Sequence, residues 1–180
     1  RYFHRPGRYI TFMRNPIDRV LSEYNYHLFR YYQKKIDQQQ LRGRGFLSAA
    51  GNFLSFEEWL KTSDYPTIHI QKNILNMRPQ GRMGKRLASP DRFDEMKSIL
   101  EEFFFIGLTE TFSSDVKLIS RFLQIPVRIK KVRYNCTQQQ FRRIGCKPYE
   151  PKNRAAITAL LKEKNHIEYK LYEHACDLHA

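Results

Sequence analysis

Arg14 and Ser22 stand eight positions apart in the stretch RYITFMRNPIDRVLSEYNYHLFRYY, residues 8–32, and their types suit the binding of an anion. A guanidinium offers a planar fork of donors to phosphate or sulfate, and a hydroxyl adds a neutral donor. Between them lies Asn15-Pro16, a helix-start signal, with Asp18 in the first turn where a carboxylate meets unpaired backbone N–H groups. A strand that turns directly into a helix presents those N–H groups and the positive end of the helix dipole at one mouth, and an arginine at the turn reinforces it. The chemistry expected there is anion recognition. The same residues would also serve an ordinary strand–helix unit with a capping Asn-Pro and a surface arginine.

The elements that position these residues follow from the flanking pattern. Tyr9, Ile10, Thr11 and Phe12 are β-branched or aromatic and Met13 extends the apolar run, which predicts a short strand ending at Arg14. Ile17, Val20, Leu21, Tyr24 and Leu28 then recur with helical period, which predicts an amphipathic helix with one buried stripe and Ser22 two turns in.

The segment from Tyr9 to Tyr24 resembles the 3′-phosphate-binding motif of the Golgi-type, membrane-associated carbohydrate sulfotransferases, which use 3′-phosphoadenosine 5′-phosphosulfate (PAPS) as sulfuryl donor. In that family an arginine at the strand end and a serine eight residues later hold the nucleotide's 3′-phosphate, and Arg14 and Ser22 occupy those two positions. Asn15 departs from the family's usual aspartate and still caps a helix. A second match comes from Phe103 to Phe112, where Gly107, Leu108, Glu110 and Phe112 reproduce the family's strand followed by Gly-Leu-x-Glu-x-Phe and a helix. The two motifs stand in the family's order.

The resemblance implies a P-loop-like, three-layer α/β fold with a short parallel sheet flanked by helices. It also implies transfer of a sulfuryl group from PAPS to a carbohydrate hydroxyl, with no metal, a Golgi-lumenal site if the chain is eukaryotic and a cytoplasmic one if bacterial. The family's loop for the 5′-phosphosulfate, rich in Gly, Lys, Thr and Ser, normally precedes the first motif, and the general base normally lies in that region too. Chain 1–180 therefore reads as the C-terminal portion of a single sulfotransferase domain, incomplete at its N-terminus and inactive alone, with the base and any membrane anchor expected upstream of residue 1. The base role is not carried to His4. Arg133, Asn135 and Thr137 are the nearest positional candidates for the loop that folds over the nucleotide, without a matching motif.

Composition sets the outer bounds. One hundred and eighty residues with 41% hydrophobic and 14% aromatic content suffice for one packed domain. No run approaches the roughly eighteen apolar residues of a membrane span. A net charge of +14 requires anionic company, whether nucleotide, acidic polysaccharide, nucleic acid or anionic membrane. The acceptor expected from charge and resemblance together is an acidic carbohydrate such as a glycosaminoglycan, with no nucleic acid. The alternative is a non-catalytic basic module that binds nucleic acid or heparin-like polyanions, with Arg and Lys on phosphates and Tyr as stacking platforms. The basic residues cluster at Arg78, Arg82, Lys85, Arg86 and Arg92 and again from Arg121 to Arg154. Cys136, Cys146 and Cys176 form no CxxC pair and stand beside no histidine cluster, which argues against zinc. A Cys136–Cys146 loop and three free thiols both fit. Asn135-Cys136-Thr137 is a formal glycosylation acceptor inside the loop expected to close over cofactor.

Alternating strand and helix signals predict an α/β domain with a parallel sheet. FFFIGL, residues 103–108, predicts a strand buried on both faces. Residues 33–52 lack a sustained period and are expected to form a long mobile loop, which simple disorder would equally explain; the resemblance implies that the acceptor sugar sits against such a loop. Ser55-Phe56-Glu57-Glu58 is a capping-box pattern. Further helices are expected over 68–77, from Ser89-Pro90 to about Glu102, over 114–122, over 155–164, and from Asn165 to Ala175.

Overall fold

The computed structural model describes residues 10–63, 93–125 and 137–179. The expected helix over 68–77, the basic loop over 78–88, His4, Arg133, Asn135 and Cys136 lie outside the described residues.

Among the described residues the chain is mixed α/β, mostly helical with a short two-strand parallel sheet. Strand β1, Ile10–Met13, pairs with β2, Phe105–Leu108, with Ile10 opposite Phe105 and Met13 opposite Leu108. The pairing is parallel, as the alternation of strand and helix signals required. By their contacts the residues form two compact units, and the boundary falls inside the first motif, between Asn15 and Pro16.

Among the described residues the first unit holds β1, β2, the helices α4 at Phe93–Glu101 and α5 at Phe112–Leu123, and, from Ile167 on, α8 at His166–His179. Its core joins Met96, Ile99 and Leu100 of α4 to Ile106 of β2 and to Ile167, Leu171 and Ala175 of α8. Those are i, i+3, i+4 and i, i+4, i+8 spacings, so the buried stripe of each helix is legible in its sequence. Contrary to the expectation of burial on both faces, Phe104 is exposed and Phe105 half-buried, while Ile106, Gly107 and Leu108 are buried. Only the carboxyl-terminal half of the run is covered on both sides.

Gly107 is required by close approach. A Cβ built there would stand 2.4 Å from Cε1 and 2.6 Å from Cδ1 of Phe12. The Phe12 ring has little room to yield, because Phe112 packs on it at 4.8 Å and Phe105 at 6.5 Å between ring centroids. Gly107→Ala is therefore expected to destabilise the protein by about 1–3 kcal/mol through overpacking. Urea denaturation followed by circular dichroism reads the loss as a lower midpoint with unchanged slope.

The second unit is built on α1, Pro16–Tyr32, with α2 at Gln38–Gly43, α3 at Phe56–Thr62, α6 at Thr137–Arg142 and α7 at Arg154–Lys164. Helix α1 buries Ile17, Val20, Leu21, Tyr24 and Leu28, the stripe that its period predicts, and packs against α6 and α7. The capping box at Ser55 forms in both directions, and its hydrogen bonds hold the Glu58 carboxyl below the usual carboxylate range. Residues 33–52 are not a long loop. Asp37 accepts from the Gln39 N–H and starts α2, and Leu47 bridges Phe53. Leu41 and Phe46 are wholly buried and anchor the stretch. Single apolar anchors separated by glycines at positive φ, Gly45 at 69° and Gly51 at 82°, leave no period to read.

Candidate functional site

In the first unit, Arg14 follows the carboxyl end of β1, which is where parallel α/β sheets bind ligands. Its side chain is exposed, and no acid engages it among the described residues. Two backbone hydrogen bonds bracket it. On one side the Thr109 N–H donates to the Met13 carbonyl at 2.8 Å, carrying the β1–β2 ladder one residue past the strands. On the other the Asn15 N–H donates to Glu110 Oε1 at 2.9 Å. This N–H, on the residue read as the N-cap, is taken by a carboxylate of the chain itself.

The turn after β2 is held by Asp115, which is 3% exposed. Its Oδ2 accepts from the Leu108 N–H and the Thr111 hydroxyl, both at 2.8 Å, and its Oδ1 meets His179 Nε2 at 2.9 Å. Burial alone would raise the Asp115 pKa. The hydrogen bonds from His179, Leu108 and Thr111 outweigh it and hold the carboxyl below its ordinary value. Burial, followed by the charge of Glu110, pushes the Tyr172 phenol of α8 upward.

A cleft of about 550 Å3 opens in the same unit, walled by Phe103, Phe104, Phe105, Leu118, Arg121 and Leu178. It lies along the amino-terminal half of β2. In a parallel pair that is the end opposite Arg14, so this cleft is not where the first motif places its ligand.

In the second unit, Ser22 sits two turns into α1 and is half-buried beside the helix's apolar stripe. Asp18, expected to serve free N–H groups in the first turn, instead pairs with Arg154. Asn25 is fully committed: its Nδ2 donates to the Tyr149 carbonyl at 3.0 Å and its Oδ1 accepts from the Tyr149 N–H at 2.7 Å. His27 is buried, and its Nε2 lies 2.9 Å from Arg44 Nη1. A guanidinium only donates, so this nitrogen accepts and the ring is neutral with its proton on Nδ1. These groups support the helix that carries Ser22. Thr137 opens α6, and Cys146 and Cys176 are free thiols.

Residues 4–175 match the family model described as the Sulfotransferase family. The chain belongs to the sulfotransferase family. Its chemistry is therefore sulfuryl transfer, and both sequence motifs lie within the matched span. No curated protein and no solved structure matches the chain. No group of three or more potential metal ligands occurs among the described residues, and no described helix is long and apolar enough to cross a membrane.

Arg14 and Ser22 stand out in the sequence as cofactor-binding candidates, whereas Asp115, His179 and Asn25 do not. An aspartate in the first turn of a helix, as Asp115 is, reads as a dipole partner on the surface. Its burial against Leu108 and His179 is set by partners 7 and 64 positions away.

Proposed function

We propose that this sulfotransferase takes its sulfuryl group from PAPS and delivers it to a hydroxyl of an acidic carbohydrate, with Arg14 and Ser22 holding the nucleotide's 3′-phosphate. The observation that carries the reading is Arg14: an exposed guanidinium with no acidic partner among the described residues, at the carboxyl end of a parallel strand in a chain of this family. The net charge of +14 supports an anionic donor and acceptor alike.

In the reaction the acceptor oxygen attacks sulfur, the bond from sulfur to the 5′-phosphate oxygen breaks, and adenosine 3′,5′-bisphosphate leaves with that electron pair. The acceptor proton passes to a general base. Arg14 and Ser22 act on the far end of the nucleotide, so they contribute binding and in-line orientation rather than the chemical step.

The test is calorimetric titration with adenosine 3′,5′-bisphosphate. A charge-assisted hydrogen bond contributes about 1.5–3 kcal/mol, so Arg14→Ala is expected to weaken binding by about 10- to 100-fold. Ser22→Ala loses a neutral bond and is expected to cost about fivefold. Equal affinity in the parent and both variants would sink the assignment. Tight binding of heparin or single-stranded nucleic acid with indifference to the nucleotide would favour the polyanion-binding alternative.

A further inference from the structure

Glu110 is the second motif's acidic residue, and its carboxylate is spent on the first motif. It accepts the N–H of Asn15, the residue immediately after Arg14, from a position 95 residues away. The preceding residue, Thr109, donates its own N–H to the carbonyl of Met13, the residue immediately before Arg14. Consecutive residues of one turn thus clamp the backbone on both sides of Arg14. The Thr109 hydroxyl lies 3.4 Å from the Oε2 of the same carboxylate. Arg14 keeps an exposed side chain on a backbone held by a hydrogen bond on either side, which is how a binding arginine is preorganised.

We propose that Glu110 is a positioning residue for the nucleotide's 3′-phosphate: it sets the turn from which Arg14 reaches the phosphate, and acts through its reach to Asn15 rather than through its charge. This rests on the reading of Arg14 as a 3′-phosphate ligand. A negative charge beside a phosphate site would by itself oppose binding, so its presence calls for a geometric reason. The bond to Asn15 supplies it.

Three substitutions separate reach from charge. Glu110→Gln keeps the length and the accepting carbonyl oxygen and removes the charge. Glu110→Asp keeps the charge and withdraws the oxygens by one methylene. Glu110→Ala removes both. Two measurements are made on each variant of the full chain: titration with adenosine 3′,5′-bisphosphate, and hydrogen exchange of the Asn15 amide by NMR. Glu110→Ala and Glu110→Asp are expected to weaken the nucleotide by about tenfold and to speed Asn15 exchange by a similar factor, the effect of one charge-assisted hydrogen bond. Glu110→Gln is expected to bind at least as tightly as the parent with Asn15 still protected.

Should Glu110→Ala not fold, the contrast between Gln and Asp carries the test alone. Equal weakening in Gln and Asp overturns the inference, and so does an Asn15 amide that stays protected in Glu110→Asp. A parent that binds, loses affinity on Arg14→Ala and ignores Glu110→Asp overturns this inference and leaves the 3′-phosphate reading standing. A parent that does not bind the nucleotide overturns both.

Discussion

Asp115→Ala is expected to destabilise the first unit by about 3 kcal/mol, because it strands the buried Leu108 N–H and removes the partners of Thr111 and His179. The sign of its pH dependence follows from the depressed carboxyl. A group whose folded-state pKa is lowered contributes stability that is complete above its unfolded value, about 3.9 for aspartate, and that is lost as pH falls through the folded value. The parent should therefore lose this contribution below about pH 4, and Asp115→Ala, lacking it at every pH, should show a flatter acid limb. Urea midpoints measured from pH 3 to 7 check both effects. Asp115→Asn should recover part of the loss, since its carbonyl oxygen can still accept from Leu108 and Thr111 while its amide faces His179. A parent and an alanine variant with parallel acid limbs would show that the Asp115 carboxyl binds its proton equally well folded and unfolded, against a depressed folded value.

Trp59→Ala is expected to have the largest effect in the second unit, about 3–5 kcal/mol. Trp59 is wholly buried, stacks on Phe46 at 4.6 Å and 14°, and packs near Tyr24 at 5.7 Å and Phe56 at 5.9 Å between ring centroids. Its Nε1–H donates to the Arg44 carbonyl at 3.2 Å, so truncation leaves a cavity and removes a donor from the segment that leads out of α2. Trp59 is the single tryptophan, which makes far-ultraviolet circular dichroism the readout rather than fluorescence. Trp59→Phe keeps the stacking and loses the bond, and should cost about 1–2 kcal/mol less the part recovered by repacking. Under the role proposed for Ser22, a loosened aromatic core beneath α1 is expected to weaken nucleotide binding as well as stability.

The aromatic cluster also explains why residues 33–52 are ordered without a period in their sequence. Phe46 and Phe53 stack at 5.5 Å and 18° and are held under Tyr24 and Trp59. Each opens a two-residue apolar step, Phe46-Leu47 and Phe53-Leu54, flanked by Gly, Ser and Asn, too short for a window of the sequence to show a period. Order there comes from rings supplied by α1 and α3, and a local pattern carries no record of them. The exposed Phe104 errs in the opposite direction: an unbroken apolar run predicts burial on both faces, yet coverage depends on where α4, α5 and α8 lie against β2.

What the amino-acid sequence determined by itself is what neighbours along the chain decide. Side-chain shape made Ile10–Met13 a strand, helical period made Pro16–Tyr32 a helix with its stripe on Ile17, Val20, Leu21, Tyr24 and Leu28, and the Ser55–Glu58 box started α3. The segment from Tyr9 to Tyr24 and the Gly107-to-Phe112 motif resemble those of sulfotransferases, and the family match over residues 4–175 agrees. Only the tertiary structure decided how those pieces serve one another. It set Gly107 against the Phe12 ring, turned Asp115 inward onto Leu108 and His179, and joined Glu110 to Asn15. Hydrogen bonds and close contacts of this kind pair residues far apart in the chain, and their partners are chosen by the packing of whole elements. The two motifs could each be read as a string; that the second one braces the arginine of the first could not.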